Sequence, residues 1–315
     1  MNTNQNSKTL NTKVLSIQQK DNLAVVQFST IPNNTLEIVT STFALKNNLI
    51  EVKEISDGGS VNELLVLNHS DKFVFLMDGD ILDGAKQNRV LNTSVLLAPE
   101  SKTKIPVSCV ESGRWNYKSK NFQPTDYVAP ANLRAKKSVR VAFSLGASQG
   151  HKSNQREVWD DVSSYSESLG VTSASSNLSD VFDDSNNPYQ KFLDCFSHHP
   201  EANGLLFLVN KKPLALDAFN RTDIMQEYFP KLLKGVALDV YGMKSEAAEM
   251  TEAEASFKAL DFIDTLELIE RMEHPGVALG IEKRFNSETV SGFELNYNNQ
   301  LVHLTALVLE NENNK

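Results

Sequence analysis

Polar side chains with chemical capability are concentrated where a predicted strand ends and a glycine turn follows. Gln87, Asn88 and Arg89 come after the apolar run at residues 73–77 and the turn at Gly84. Two amides and a guanidinium suit the binding of a phosphate, a ribose diol or a carboxylate through forked hydrogen bonds. The same groups could instead cap strands and satisfy loop carbonyls, but their clustering favours a ligand contact.

A second cluster follows the apolar run at residues 107–110. Glu111 shares a strand face with Cys109 and lies three residues before Arg114. A buried carboxyl with raised proton affinity suits general acid–base work on a glycosidic or phosphoester bond, whereas an ion pair with Arg114 would only fix the turn. Trp115 could stack on a nucleobase or seal the end of the sheet. The sequence leaves both pairs of alternatives open.

Other candidate residues favour structural interpretations. Cys109 has no histidine nearby in sequence, so it is interpreted as a small buried strand residue and not as a nucleophile. Asp78, Asp80 and Asp83 lack the spacing of a calcium loop and are predicted to cap turns. The four basic residues within 134–140 are predicted to form a solvated face. No paired histidine accompanies the aspartates, so no metal is expected. Dinucleotide, phosphate-loop and GxSxG motifs are absent from the sequence, which does not support the common nucleotide and hydrolase folds, and no cofactor is expected.

Two strings of the sequence resemble the signature blocks of a known family. These blocks are residues 84–92 (GAKQNRVLN) and residues 106–115 (PVSCVESGRW). The family is the ARG and rhodanese-phosphatase-superfamily-associated protein domain, where ARG stands for ADP-ribosylglycohydrolase. Residues 59–68, 204–219 and 302–304 are also similar to it, so the resemblance covers most of residues 10–310.

The resemblance implies a role connected with ADP-ribose or NAD metabolism. The first hypothesis is an enzyme that hydrolyses ADP-ribose or a related NAD-derived nucleotide, or transfers a group from it. The clustering then assigns catalysis to Glu111 and ligand binding to Gln87, Asn88, Arg89, Arg114 and Trp115. The alternative is a non-catalytic module. Such a module would bind either the nucleotide itself or a partner enzyme of ADP-ribose or NAD metabolism. A third interpretation makes the same polar cluster an internal network that closes the sheet.

Composition limits the other partners. The chain has 315 residues, 40% of them hydrophobic, and a formal net charge of −9. Nucleic acids and anionic membranes both attract basic surfaces, so neither is expected to bind. Two cysteines are too few for a disulfide framework, and no apolar run approaches the ~20 residues that span a bilayer. We therefore expect a cytoplasmic protein with reduced thiols.

The elements that must position these residues follow an α+β pattern. Residues 1–11 are polar and are predicted to be a disordered tail, and residues 12–310 are predicted to form a single domain. Strands dominate the first 110 residues and the last 40, while helices occupy the central and C-terminal part. Since neither strand group has enough helices to cover it, the amino- and carboxy-terminal strands are predicted to meet in one largely antiparallel sheet system.

Local patterns predict individual elements. Hairpins are predicted to join residues 14–17 to 23–28, residues 64–67 to 73–76, residues 204–209 to 213–216, and residues 290–297 to 301–309. Helices are predicted at residues 154–169 and 222–240 and from a capping box at Thr251, the last with Phe257, Leu260, Ile263, Leu266 and Ile269 inward. Residues 171–187 are predicted to be a mobile surface loop.

Overall fold

The computed structural model describes residues 12–30, 36–56, 58–184, 193–240, 243 and 249–309. The predicted tail at residues 1–11 lies outside these residues. Antiparallel sheets are built from the two ends of the chain, and most of the helices come between them. This confirms the predicted α+β class, while the single-domain organisation stays a prediction.

Strands and helices of the described residues are numbered in chain order. The strands are β1 (Thr12–Lys20), β2 (Leu23–Thr30), β3 (Ile38–Thr40), β4 (Ile50–Glu54), β5 (Glu63–Asn68), β6 (Phe73–Leu76), β7 (Asp80–Gly84), β8 (Arg89–Leu91), β9 (Val95–Leu97), β10 (Lys102–Cys109), β11 (Phe122–Val128), β12 (Gly204–Val209), β13 (Lys212–Phe219), β14 (Met272–Pro275), β15 (Ile281–Asn286), β16 (Val290–Tyr297) and β17 (Gln300–Val308). The helices are α1 (Ser41–Lys46), α2 (Ala131–Gly146), α3 (Gln155–Leu169), α4 (Leu178–Asp183), α5 (Thr222–Val240) and α6 (Glu252–Leu266).

The largest sheet joins the two ends of the chain. In the described residues its strand order is β1-β2-β12-β13-β17-β16-β15-β14, and every neighbouring pair is antiparallel. β2 lies beside β12, with Val26 opposite Leu206. The predicted meeting of amino- and carboxy-terminal strands is therefore confirmed.

Tight turns form this sheet where the sequence predicts them. Asn298 and Asn299, between β16 and β17, have φ angles of 51° and 59°. Asparagine tolerates this left-handed region, which two-residue hairpin loops need in order to match the twist of the strands. Asn210 and Lys211 make the corresponding turn between β12 and β13, with φ angles of 46° and 64°. Both predicted hairpins are confirmed.

The predicted hairpin between residues 64–67 and 73–76 is wrong. β5 pairs with β4 and β10 in a six-stranded sheet of order β11-β7-β8-β10-β5-β4, whereas β6 lies in the three-stranded sheet β3-β6-β9. Asn68 redirects the chain between them. Its side chain accepts hydrogen bonds from the amide and hydroxyl of Ser70 and donates to the carbonyls of Lys72 and Ala98. These bonds hold a turn that carries β6 away from β5.

Helix α6 begins at its predicted cap, and its buried face matches the prediction in part, since Ile263 and Leu266 are buried as expected. Thr251 accepts a hydrogen bond from the amide of Glu254, as a capping box requires. The helix ends at Leu266, and Phe257 and Leu260 are exposed instead of inward. The buried face carries Ala255, Ala259, Phe262, Ile263 and Leu266. The helix sequence allows two overlapping apolar faces, and the face that contains Ala255 and Ala259 packs against the large sheet.

The predicted mobile loop at residues 171–187 is wrong where the structure describes it. α4 lies in this segment, with Leu178, Val181 and Phe182 buried and Asn177 capping its first turn. The Phe182 ring stacks on Tyr127 at a centroid distance of 4.1 Å. Three apolar residues suffice because they enter the core between the sheets, and residues 185–187 lie outside the described part of the chain.

The main core lies between the large sheet and the smaller sheets. It contains buried side chains of α2, α3 and α5 together with Phe207 and Phe219 of the large sheet and Phe75 and Val90 of the smaller ones. The predicted helices at residues 154–169 and 222–240 are confirmed as α3 and α5. On the other face of the large sheet, α6 covers a second core. The six-stranded sheet thereby presents β7, β8 and β10, which carry the polar clusters, on a rigid scaffold.

Candidate functional site

Strand pairing brings the two predicted polar clusters together. β8 and β10 are antiparallel neighbours, and Arg89 lies opposite Cys109. The amide of Val110 donates to the carbonyl of Asn88 at 3.0 Å, so Asn88 is adjacent to the end of β10 where Glu111 begins. Segments about 20 residues apart in sequence therefore form one local structure.

Glu111 is the centre of a saturated hydrogen-bond network. Its Oε2 lies 2.6 Å from Arg114 Nη2, and its Oε1 lies 2.8 Å from Arg114 Nε. Ser175 Oγ donates to Oε1 at 2.8 Å, and the Asn88 amide donates to Oε2 at 3.1 Å. Burial opposes the charge on this carboxylate, but the hydrogen bonds from Arg114, Ser175 and Asn88 outweigh it and lower the pKa of Glu111. The carboxylate is therefore held charged.

Arg114 connects the two signature blocks. Its Nη1 donates to the carbonyl of Ala85 at 2.6 Å and to that of Asn116 at 2.9 Å. Its Nη2 also contacts Asn88 Oδ1 at 3.2 Å. With the two bonds to Glu111, all of its nitrogens are occupied. The pair thus holds the segment before β8 against the segment that carries Trp115.

Arg89 is fully buried, and its ion pair is loose. Its Nη1 donates to the carbonyl of Gln87 at 3.0 Å and lies 3.4 Å from Gln87 Oε1, while its Nη2 lies 3.5 Å from Glu54 Oε1. Burial lowers the pKa of this guanidinium. Among the described residues, neither Arg89 Nε nor Glu54 Oε2 has a hydrogen-bond partner. A buried charged pair ordinarily uses these positions, so both are unusual.

Two aromatic rings are held around a lysine beside this pair. Lys86 Nζ lies 5.4 Å from the Trp115 ring centroid and 5.1 Å from that of Tyr117. The guanidinium carbon of Arg89 lies 5.7 Å from the Trp115 centroid. Trp115 is 42% exposed and Tyr117 is 51% exposed, which is unusual for large aromatic side chains. Cation–π attraction fixes the rings while leaving part of each in solvent.

An open cleft of about 580 Å³ lies next to these rings. One side is the end of β4, with Lys53, Glu54, Ile55 and Ser56, and the other is residues 117–120, with Tyr117, Lys118, Ser119 and Lys120. Three lysines border it, and its one carboxylate is the partner of Arg89. A second pocket, of about 360 Å³, is lined by Asp83, Asp126, Asp180 and Asp183 with Lys46 and Lys118 and is therefore mainly acidic. Only the first of these two suits an anion.

Comparison with known proteins identifies the family. The family described as the ARG and Rhodanese-Phosphatase-superfamily-associated Protein domain matches residues 11–307. The chain belongs to this family. Its name connects the protein with ADP-ribosylglycohydrolase and rhodanese-phosphatase proteins in general terms. The chain matches no curated protein and no solved structure.

Cys109, the last residue of β10, lacks the surroundings of a nucleophile. It is completely buried, and burial raises the pKa of its thiol to about 11. A thiol in this state is not a nucleophile at neutral pH, so the interpretation as a small buried strand residue is confirmed. In the part of the chain that the structure describes, no group of three or more His, Cys, Asp or Glu side chains is arranged to hold a metal ion. No described helix is long and apolar enough to cross a membrane.

The prediction of a solvated basic face at residues 134–140 is wrong for two of its four basic residues. Arg134 and Lys137 are both 1% exposed, whereas Lys136 and Arg140 face solvent. Arg134 donates to Asp217 at 2.7 and 3.0 Å and to Asp78 at 3.1 Å. The spacing places Arg134 and Lys137 on one helix face with Ser138 and Val141, but the sequence does not show that this face is the buried one.

Of the three aspartates predicted to cap turns, Asp78 and Asp80 are buried in ion pairs, whereas Asp83 pairs with Lys118 near the surface. Asp80 does cap a turn, since it accepts a hydrogen bond from the Met77 amide at 3.0 Å. It also lies 2.8 Å from Lys231 Nζ and accepts a hydrogen bond from the Tyr228 hydroxyl. Burial acts to raise the pKa of Asp80, but Lys231 and the hydrogen bonds from the Met77 amide and the Ser41 hydroxyl lower it. Asp78 thus joins the segment between β6 and β7 to α2, and Asp80 joins it to α5.

Proposed function

We propose that this protein binds an anionic nucleotide of the ADP-ribose or NAD class in the lysine-bordered cleft, and that it acts as a binding module. The observation that supports the proposal most directly is the pair of exposed rings, Trp115 and Tyr117, fixed by Lys86 next to that cleft. A flat aromatic platform beside a concentration of positive charge is complementary to a base that carries phosphates. The general link of the family to ADP-ribose metabolism agrees with this ligand class.

The aromatic rings would bind the base of the ligand. Stacking of a base on an exposed aromatic ring contributes about 1–3 kcal/mol and does not depend strongly on which base it is. Lys86 restricts both rings before any ligand arrives, so little side-chain entropy is lost on binding. Of the residues predicted to bind ligand, Trp115 is the most exposed, and it lies beside Tyr117, which lines the cleft.

The lysines would bind the phosphates. Lys53, Lys118 and Lys120 border the cleft. Lys118 makes an exposed ion pair with Asp83, and Lys53 makes a partly buried one with Glu51. Exposed pairs contribute little, so a phosphate can compete for these ammonium groups. In a chain of net charge −9 such a concentration of lysines also attracts an anion to one place.

The remaining predicted site residues would act by positioning. Arg114 and Asn88 hold the two signature blocks together, and Gln87 and Arg89 form the structure behind Trp115. The catalytic role of Glu111 stays a prediction. The lowered pKa makes this carboxylate a weak base, whereas acid–base work requires a raised proton affinity. The Glu111 carboxylate also already accepts four hydrogen bonds from the protein. Both observations favour a binding module over a hydrolase.

Calorimetric titration of the protein with ADP-ribose, NAD, ADP and inorganic phosphate tests the proposal. We expect the three nucleotides to bind, and Tyr117→Ala to weaken each of them about 5- to 100-fold while leaving phosphate unchanged. Lys120→Ala should weaken nucleotides and phosphate alike, whereas the control Lys212→Ala, an exposed lysine on β13, should change nothing. Absence of nucleotide binding, or an equal effect of the control, would contradict the proposal.

The enzyme alternative is tested with the same ligands. Incubation with ADP-ribose or NAD followed by product chromatography shows whether turnover occurs. If Glu111 is catalytic, Glu111→Gln abolishes turnover and leaves affinity nearly unchanged. If the protein is a binding module, no product forms with the unmodified protein or with Glu111→Gln.

A further inference from the structure

A buried carboxylate oxygen beside the cleft has no described partner. Glu54 is 7% exposed and lines the cleft, yet its Oε2 makes no hydrogen bond to any described residue. Its Oε1 has only the long 3.5 Å contact to Arg89 Nη2. An ionised carboxylate can accept about four hydrogen bonds, and leaving this capacity unused in a buried position is costly. Glu54 therefore has accepting capacity that a ligand could use.

The partner of Glu54 has an unused hydrogen-bond donor. Arg89 is completely buried, and its Nε–H also finds no described partner. The two ends of one ion pair thus provide an unused acceptor and an unused donor. A hydroxyl group both donates and accepts, and two adjacent hydroxyls can fork onto one carboxylate. A phosphate would satisfy Arg89 but would be repelled by Glu54.

The residue next to Glu54 Oε2 is a glycine, Gly59. Gly59 has a φ of +77°, and a Cβ built on it would lie 3.4 Å from Glu54 Oε2 and 3.2 Å from both Trp115 and Lys86. Any side chain at this position would crowd the carboxylate and the aromatic platform. The glycine therefore leaves space beside Glu54 Oε2, at the wall of the cleft, that a side chain would fill.

Resting on the proposed function, we propose that Glu54 accepts hydrogen bonds from the ribose hydroxyls of the bound nucleotide, with Arg89 Nε as the accompanying donor. The base stacks on the rings that border Glu54, and the phosphates extend toward the lysines. A carboxylate in this position selects ribonucleotides over 2′-deoxynucleotides, because the deoxy sugar leaves the acceptor unpaired. It rejects a 2′-phosphate by like charge.

A ligand series on the unmodified protein tests this inference. Calorimetry with ADP, 2′-deoxy-ADP, 2′-phospho-ADP and IDP should give ADP and IDP similar affinities, with 2′-deoxy-ADP about 10-fold weaker or more and 2′-phospho-ADP weaker still. Equal binding of ADP and 2′-deoxy-ADP would overturn the inference and leave the proposed function intact. Weak binding of inosine diphosphate (IDP) together with unchanged binding of 2′-deoxy-ADP would also overturn it, because Glu54 would then accept a hydrogen bond from the adenine amino group, which inosine lacks. If no nucleotide binds, the proposed function itself is wrong and this inference falls with it.

A variant pair gives an independent test. Glu54→Gln keeps the shape of the side chain and should reduce the preference for ADP over 2′-deoxy-ADP toward unity. The control Glu63→Gln changes a half-exposed glutamate on β5 and should preserve the preference. Far-ultraviolet circular dichroism confirms that each variant is folded. A preference that survives in folded Glu54→Gln would contradict the assignment.

Discussion

Arg134 links α2 to the large sheet and to the turn between β6 and β7, and its removal should be among the most destabilising changes in the chain. The guanidinium makes three charge-assisted hydrogen bonds, two to Asp217 on β13 and one to Asp78 after β6, and a fourth to the Thr305 hydroxyl. Arg134→Met keeps the aliphatic part of the side chain, which packs against Gly79. The substitution therefore removes the charge while leaving little empty space.

The expected loss follows from the carboxylates that remain. Asp217 and Asp78 are both buried, and after the substitution Asp217 keeps only His303 and Asp78 keeps only Lys137 as ionic partners among the described residues. Breaking a buried pair by removing one partner costs about 3–5 kcal/mol. Since a domain of this kind has a total stability of roughly 5–15 kcal/mol, the variant should be severely destabilised or unfolded.

Urea unfolding measured by circular dichroism gives the free energy directly. The control is Arg140→Met on the same helix, where an exposed pair with Glu157 should contribute about 1 kcal/mol or less. The double variant Arg134→Met with Asp217→Asn removes the charge that was left unpaired, so it should lose less than the sum of the two single variants. A loss below about 1 kcal/mol for Arg134→Met, or strict additivity in the double variant, would refute this account.

Three further outcomes are expected. Arg134 lowers the pKa of Asp217 to about 2, and Arg284 lowers that of Glu282 to about 2, in both cases against the effect of burial. The stability that these carboxylates provide is therefore complete above about pH 4.5 and is lost as the pH falls to about 2. Measuring the free energy of unfolding across this pH range tests the prediction. A thiol reagent should modify exposed Cys195 in the native protein and buried Cys109 only after unfolding, giving one and then two labels by mass spectrometry. Because one sheet joins both ends of the chain, calorimetry should show a single unfolding transition, and two separated transitions would contradict the predicted single domain.

Elements defined by local chemistry could be predicted from the sequence. The cap at Thr251 and the turn at Asn298 and Asn299 depend on side chains within a few residues of each other, and both are present as predicted. The clustering of Arg89 and Glu111 was predicted, but their proximity does not come from the two apolar runs that precede them in sequence. Most of the run at residues 73–77 forms β6 in the three-stranded sheet, and Arg89 reaches β10 through β8.

Features that depend on distant partners could not be predicted in the same way. Arg134 alone is typical of an exposed helix, and its burial is explained only by Asp78 and Asp217, which lie 56 and 83 residues away. The cleft raises the same difficulty, because Lys53 and Lys120 come from segments without a motif. Sequence periodicity also could not decide which apolar stripe of α6 faces the sheet, because that depends on the surface it meets.

The order of strands in the large sheet has a consequence for synthesis of the chain. β2 ends at Thr30, but its neighbour β12 begins at Gly204, and β17 follows only at Gln300. At a translation rate of roughly 5–20 residues per second, the first hairpin leaves the ribosome roughly 10–30 s before β12 does. During that interval the inner edge of β2, whose side chains are almost all buried in the final fold, has no strand to pair with. The nascent protein is therefore most exposed to aggregation and to chaperone binding before its second half has been made.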